Sequence, residues 1–467
     1  MSIWILTTGN SDVQLKSNYN SNKWQKLYRE VRSKLSNHLF EPYRLKNAPA
    51  NEPYTVPARV MGMVYSPQLD DEIFKDLHFP LLDTFINGLT GKNQPDKIIV
   101  ILTNQENVFS DDDKTNNKCP YWQDTYTLKP ILEKYFQKKL PRLKSNQDIQ
   151  YLELKPNSKE EGLDNWDKCL ILVNNLFYQE IANLEIREYT KIFVSHQAGT
   201  PAISSAVQFS SLAKFEKQVR FLVSNEYEPG NPISIPSSNY LKGIKLQEAK
   251  ELLDRYDYFG VDKIFFQEIL KDKPLKPEEQ KIKDLLAMAV QWNNANFDEF
   301  GKAISARDKK AQEHIKKLWW TGYEAAYLAV IRLEQGNNIE AMFHSFRAVE
   351  GLLRDMAGGT NDKIPKLIQS VLHNRQLDTN MRTFKEHTAD QRNNLFHNLH
   401  GLTKEQVFEA WNNDTKKKCN LEQWKSTVLG CLNFISGEKF TTLKKSSLMS
   451  SVHEELKTAI NNYELQT

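Results

Sequence analysis

At 467 residues, with 40% hydrophobic and 26% charged side chains, the chain is too long for one ordinary core and reads as two or three globular domains. The net charge of +3, from 62 basic and 59 acidic residues, is nearly balanced and neither supports a surface that coats nucleic acid broadly nor excludes a small basic site. No run approaches the apolar length of a membrane span. The four cysteines, Cys119, Cys169, Cys419 and Cys431, form no C-x-x-C, which argues against a zinc site or disulfide framework and for a reducing cytoplasm.

The start, MSIWILTTGN, has no basic leader region, and residues 3–7 read as a first strand. A helix is predicted over 23–40, with Trp24, Leu27, Tyr28, Val31 and Leu35 on one face. Residues 60–65 read as a short strand, 73–89 as a helix and 97–103 (KIIVILT) as a buried strand. A helix over 127–140, an alternating strand over 149–154 and a helix over 164–184 follow. The run KIFV at 191–194 is a strand, then comes a helix after Pro201 and a last strand over 219–224. Apolar strands alternating with amphipathic helices imply a Rossmann-like, doubly wound parallel sheet.

Residues 225–239 (NEYEPGNPISIPSSN) are rich in Pro, Gly, Ser and Asn and mark a domain boundary, giving an α/β domain over 1–236 and an all-helical region over 237–467. Helices are predicted there over 246–256, 261–271, 277–294, 308–335, 339–357, 364–372, 391–399, 404–411 and 421–436.

In an open parallel sheet, ligands sit outside the carboxyl ends of the strands. Three polar loops lie at such ends. After the first strand come Thr8, Gly9, Asn10, Ser11 and Asp12; after KIIVILT come Asn104 and Gln105; after KIFV comes SHQAGTPA. In the last, Gly199 permits a tight turn, Thr200 suits an N-cap and Pro201 suits the first helical position, which leaves a helix N-terminus open to phosphate. Any one such loop is ordinarily only a turn; three together point to one nucleotide-like ligand. No G-x-G-x-x-G follows the first strand and no G-x-x-x-x-G-K-[ST] is present, so neither a nicotinamide or flavin cofactor nor a P-loop is expected.

In the helical half, DQRNNLFHNLHG places Arg392 and His397 with four residues between them. Imidazole moves protons near neutral pH and guanidinium neutralises a pentavalent phosphorane, so such a pair can cleave RNA without metal, the RNA's own 2′-hydroxyl attacking. Five helical steps turn about 140°, so the two share no face of an ideal helix, whereas Asn393 and His397 do. A distorted helix, the long Arg side chain or a site shared across a dimer would close that gap. Arg382 and His387 have the same spacing and remain a competing pair. His397 and His400 lack neighbouring carboxylates or cysteines, so no metal site is expected. Arg347 and Glu350, amid apolar residues, are expected to form an internal ion pair or scaffold.

The chain resembles the CARF–HEPN ribonucleases, the ancillary RNases of type III CRISPR systems. AGTPAISSA (198–206) is similar to the G-G-T-P-A-M segment of CARF domains, with Ala198 for the first Gly and Ile203 for Met, and RNNLFH (392–397) is similar to the HEPN Arg-x4-His motif. The resemblance implies a CARF domain followed by an all-α HEPN domain, in a homodimer. It implies a cyclic oligoadenylate as allosteric activator, with a four-membered ring taken over six, and no cofactor. Thr8, Gly9, Asn10 and Ser11 would contact the ring from one loop, and Gly199, Thr200 and Pro201 from another. Paired Arg392, Asn393 and His397 would cut single-stranded RNA without metal. The resemblance also allows slow cleavage of the activator, with Thr8, Ser11 and Thr200 positioning a ribose. The other readings are a non-enzymatic nucleotide sensor with a helical effector domain, and a constitutive RNase whose first domain only dimerises.

Overall fold

The computed structural model describes all residues except 36–37, 45–48, 50, 182–189, 225–229, 271–273, 374, 398–400, 414–417 and 464–467, and the side chains at 145–146 and 395–397 also lie outside the description. The chain divides into two units, Met1–Leu241 and Lys242–Thr467.

The first unit is built on a six-stranded sheet. Its strands are β1 (Ser2–Thr7), β2 (Lys97–Thr103), β3 (Ile149–Leu154), β4 (Lys191–Ser195), β5 (Val219–Val223) and β6 (Ile233–Pro236). Their spatial order is β3-β2-β1-β4-β5-β6, parallel throughout except that β6 runs against β5. The central runs SIWILT and KIIVILT are almost wholly buried, as strands covered on both faces must be. Alternate side chains serve two cores. Trp4, Leu6, Ile98, Val100 and Phe193 pack on one face with α1 (Ser21–Val31), α2 (Ala58–Tyr65), α3 (Pro80–Gly88) and α4 (Lys129–Lys139). Ile3, Ile5, Ile99, Ile101, Ile192 and Val194 pack on the other with α5 (Trp166–Gln179) and α6 (Pro201–Phe215). This is the doubly wound architecture the alternation predicts. Within it the chain winds outward from β1 to β3 on one side and from β4 to β5 on the other, so the winding reverses between β1 and β4.

Four segments differ from expectation. Residues 60–65, expected as a strand, belong to the helix α2. A short apolar run does not distinguish strand from helix by periodicity; here Pro57 precedes the first turn, and Asn10 Oδ1 accepts the Ala58 N–H at 2.7 Å, which caps the helix from outside. The helix expected over 73–89 is broken into Asp71–Phe74, a two-residue strand Leu77–His78 and α3, because Pro80 cannot continue a helix and holds Phe79 at φ −127, ψ 65. The helix over 23–40 ends at Val31 in a 3-10 turn, Arg32–Leu35. The boundary segment 225–239 contains β6, an edge strand in which Pro236 sits opposite Arg220, and edges are where sheets tolerate proline.

The second unit is all helical among its described residues, with one continuous apolar core. Its helices include α7 (Pro277–Asn293), α8 (Trp320–Glu334), α9 (Asn338–Met356), α10 (Ala389–His397), α11 (Lys404–Glu409) and α12 (Leu421–Ser436). The single helix expected over 308–335 is two, Lys309–Ile315 and α8, and the turn between them lets the adjacent Trp319 and Trp320 both reach the core. Helices at Phe297–Ser305, Thr379–Thr383 and Leu448–Asn461 were not expected. No helix among the described residues is long and apolar enough to cross a membrane.

Candidate functional site

The reversal between β1 and β4 sets two loop backbones side by side. Thr7 Oγ1 donates to the Ala198 carbonyl at 2.7 Å, which ties the loop after β1 to the loop after β4. Gly199 holds φ at +94°, a left-handed conformation that costs glycine little. Thr200 then caps α6 through its hydroxyl, which accepts the Ile203 N–H at 3.2 Å, with Pro201 at the first helical position.

These loops open on a cavity of 420 Å³ lined by Thr8, Gly9, Asn10, Ser11, Gln105, Gly199 and Thr200, so seven of the expected residues from all three loops share one space. Asn104 and Pro201 do not line it. Asn104 is buried and donates to Glu153 Oε2 at 2.9 Å, while Pro201 is exposed on the helix surface. His196 likewise turns aside, its Nδ1 2.9 Å from Ser204 Oγ, and burial lowers its pKa.

The sequence reading missed the fourth wall. Gln123, Asp124 and Thr125, from the segment before α4, line the same cavity, together with Leu163. Thr125 Oγ1 lies 2.7 Å from Thr8 Oγ1 and accepts the Thr103 N–H at 2.9 Å, which joins the ends of β1 and β2. Asp124 is 1% exposed and pairs with Arg59, equally buried, at 2.7 Å. Burial raises the Asp124 carboxyl, opposed by the Arg59 guanidinium and the Gln105 donors. An arginine alone in the apolar run VPARVMGMVY was the available clue, because a buried cation requires a partner elsewhere in the chain. No Lys or Arg lines the cavity among the described residues. The Thr8, Thr125 and Thr200 hydroxyls and the Gln105 amide are engaged within the protein and shape the walls, while Asn10, Ser11, Gln123 and strand-end backbone complete a polar lining of a kind suited to ribose, base edges and phosphate oxygens.

In the second unit, α10 carries Arg392, Asn393 and His397. The Arg392 guanidinium lies 5.1 Å from the Phe346 ring centroid of α9 and its Nη1 donates to Asn393 Oδ1 at 2.9 Å. Asn393 is exposed. The His397 side chain and all of His400 lie outside the described residues. A π-helical turn, Phe384–Thr388, precedes α10. The distortion therefore falls before Arg392 and not between Arg392 and His397. Phe384 anchors that turn, 5.4 Å from Phe346 and 5.8 Å from Trp411. The competing pair is occupied: Arg382 Nε donates to the Leu377 carbonyl at 3.2 Å and His387 Nε2 lies 3.1 Å from the Glu409 carbonyl at the end of α11. The pairing expected between Arg347 and Glu350 is replaced, since Glu350 takes Arg354 at 2.7 Å one turn on and Arg347 is exposed. Among the described residues no three His, Cys, Asp or Glu side chains are grouped as metal ligands.

No family model and no curated protein matches this sequence. Among solved structures, Enterococcus italicus Csm6 bound to cyclic hexa-2'-fluoro-hexa-dAMP aligns over 98% of this chain and 99% of its own, with a TM-score of 0.50 and 12% identity. The chain has the Csm6 fold. At that identity the likeness is one of architecture, a mostly parallel Rossmann-like sheet followed by a helical region, the CARF–HEPN arrangement. The switch-point cavity lies in the CARF-like unit and the Arg-x4-His helix in the HEPN-like unit.

Proposed function

We propose that this chain is a cyclic-oligoadenylate-activated endoribonuclease of type III CRISPR defence, acting in the cytoplasm as a homodimer. Residues 1–236 would sense the ring, a tetra-adenylate, and residues 237–467 would carry the nuclease. The observation that carries the reading is the meeting of three strand-end loops over one cavity at the winding reversal of a Csm6 fold. Csm6 itself was solved with a cyclic hexa-adenylate analogue.

In the proposed chemistry His397 takes the proton of a ribose 2′-hydroxyl. The oxygen attacks the adjacent phosphorus, the bond to the 5′ oxygen breaks, that oxygen takes a proton from water and leaves as a 5′-hydroxyl, and a 2′,3′-cyclic phosphate remains. Arg392 neutralises the charge gathering on the phosphoryl oxygens, and no metal takes part. Asn393, exposed and hydrogen-bonded to Arg392, holds the guanidinium at the helix surface. Arg392 and His397 are favoured over Arg382 and His387 on the RNNLFH match, in which Asn393 follows the arginine and hydrogen-bonds to it, while Arg382 and His387 are each engaged with a main-chain carbonyl.

The test is cleavage of a fluorescent single-stranded RNA in EDTA, with and without cyclic tetra- or hexa-adenylate, by wild type, His397→Ala and His387→Ala. Ring-dependent cleavage lost only in His397→Ala supports the reading. Loss only in His387→Ala moves the site and keeps the family. Folded protein that binds a ring and cuts nothing is a sensor. Recovery of the ring after incubation shows in the same samples whether the first domain degrades it.

A further inference from the structure

We infer that Arg59 is a positioning residue for the switch-point cavity, fixing Gln105 through Asp124 and, through Gln105, the far rim at Leu163 and Thr200. The inference rests on reading that cavity as the messenger site.

Arg59 lies in the first turn of α2 and does not line the cavity. Its side chain is 1% exposed and every arm is held. Nε donates to the Tyr121 carbonyl at 2.7 Å, Nη1 to Tyr126 Oη at 2.8 Å and Nη2 to Asp124 Oδ2 at 2.7 Å. The guanidinium carbon stands 3.6 Å from the Tyr121 ring centroid and 4.5 Å from that of Tyr126. A planar fork fills such a cradle, and a lysine ammonium does not. Asp124 passes the constraint on. It accepts the Gln105 N–H at 2.8 Å and Gln105 Nε2 at 3.2 Å. Gln105 Oε1 accepts the Leu163 N–H at 3.1 Å, and the Leu163 carbonyl accepts the Thr200 hydroxyl at 2.6 Å. The chain of bonds thus runs from α2 to the cap of α6. Beside Arg59, the Ala58 N–H holds Asn10 on the opposite loop. A buried ion pair seldom repays its desolvation as stability, which leaves placement of the loops as the role this pair serves.

The experiment measures cyclic tetra- and hexa-adenylate binding by calorimetry on the full chain. Arg59→Lys is compared with its parent in the wild-type background and in Gln105→Ala, with thermal midpoints taken alongside. The expected result is about tenfold weaker binding in the wild-type background and less than about twofold further loss in Gln105→Ala, the non-additivity of residues acting in series. Tyr126→Phe, which removes one acceptor and leaves the ion pair intact, is expected to weaken binding in the same background-dependent way and stands in if Arg59→Lys does not fold. Equal losses in both backgrounds, or none in either, overturn the role of Arg59 and leave the messenger site standing. Failure of wild type to bind either ring overturns the messenger reading and this role with it.

Discussion

Gly9 and Gly199 meet across the winding reversal so closely that a Cβ on Gly9 would stand 2.7 Å from the Gly199 amide nitrogen. The neighbour is backbone, held by the Thr7–Ala198 hydrogen bond, and cannot swing aside as a side chain would. Gly9→Ala must therefore part the two loops that form the cavity. Binding of cyclic oligoadenylate is expected to weaken by about tenfold or more, roughly 1.4 kcal/mol. Calorimetric titration of the ring checks this, and unchanged affinity would mean that the two loops do not clasp the ligand together.

Asp12 supports the same loop from beneath and makes its stability pH-dependent. Its Oδ2 accepts the Gly9 N–H at 2.7 Å, while Oδ1 is buried without a hydrogen-bond partner. Burial raises its pKa from 3.8 to about 7, against the smaller lowering by Gly9. With the folded value above the unfolded one, the folded state holds the extra proton. The contribution is complete below about pH 4 and is lost as pH rises through 7. Asp12→Asn keeps an acceptor for Gly9 and cannot ionise. Its thermal midpoint is expected to exceed that of wild type at pH 8, with the difference shrinking toward pH 5. A constant difference across that range would place the ionisation elsewhere.

Much of this site was legible because strand ends announce themselves. KIIVILT and KIFV are apolar runs followed by polar loops, and an open parallel sheet gathers such loops on one edge. Thr200 and Pro201 carried the start of α6 in their own chemistry. What stayed hidden depends on tertiary contact. Asn104 and Gln105 are neighbours in the same loop, yet one points to Glu153 and the other to the cavity, which only the placement of β3 decides. Asp124 and Thr125 sit among short turns with no periodicity, and their partners are 65 and 117 residues away. The role of α2 was lost when an apolar run was read as a strand, and Arg59 went with it. In the helical unit, the π turn at Phe384–Thr388 left no mark in the spacing of its residues.

Among the described residues no Lys or Arg lines the cavity, and this has a consequence in salt. Each cation that neutralises a phosphate releases a counterion and steepens the fall of affinity with ionic strength. A pocket working through neutral polar side chains and backbone N–H groups releases few. Affinity for the ring is expected to change by less than about threefold between 50 and 200 mM salt, a shallow slope on that account. A steep dependence would show that cations outside this lining reach the phosphates.

The arginines of the two Arg-x4-His pairs differ in their surroundings. Arg392 rests on the Phe346 ring at 5.1 Å, and Phe346 leans on Phe384, which leans on Trp411. The guanidinium thus has an aromatic base in Phe346, whereas Arg382 folds back on the Leu377 carbonyl. Phe346→Leu removes the cation–π contact, worth about 1 kcal/mol, and loosens the base. It is expected to lower kcat for ring-stimulated cleavage by roughly fivefold to tenfold, with KM for RNA little changed. Arg382→Ala is expected to stay within about twofold of wild type, because it removes only a turn contact. Steady-state cleavage at saturating ring separates the two, since an inactive Arg382→Ala beside an unaffected Phe346→Leu would assign the phosphate to Arg382 and make Arg392 a packing residue.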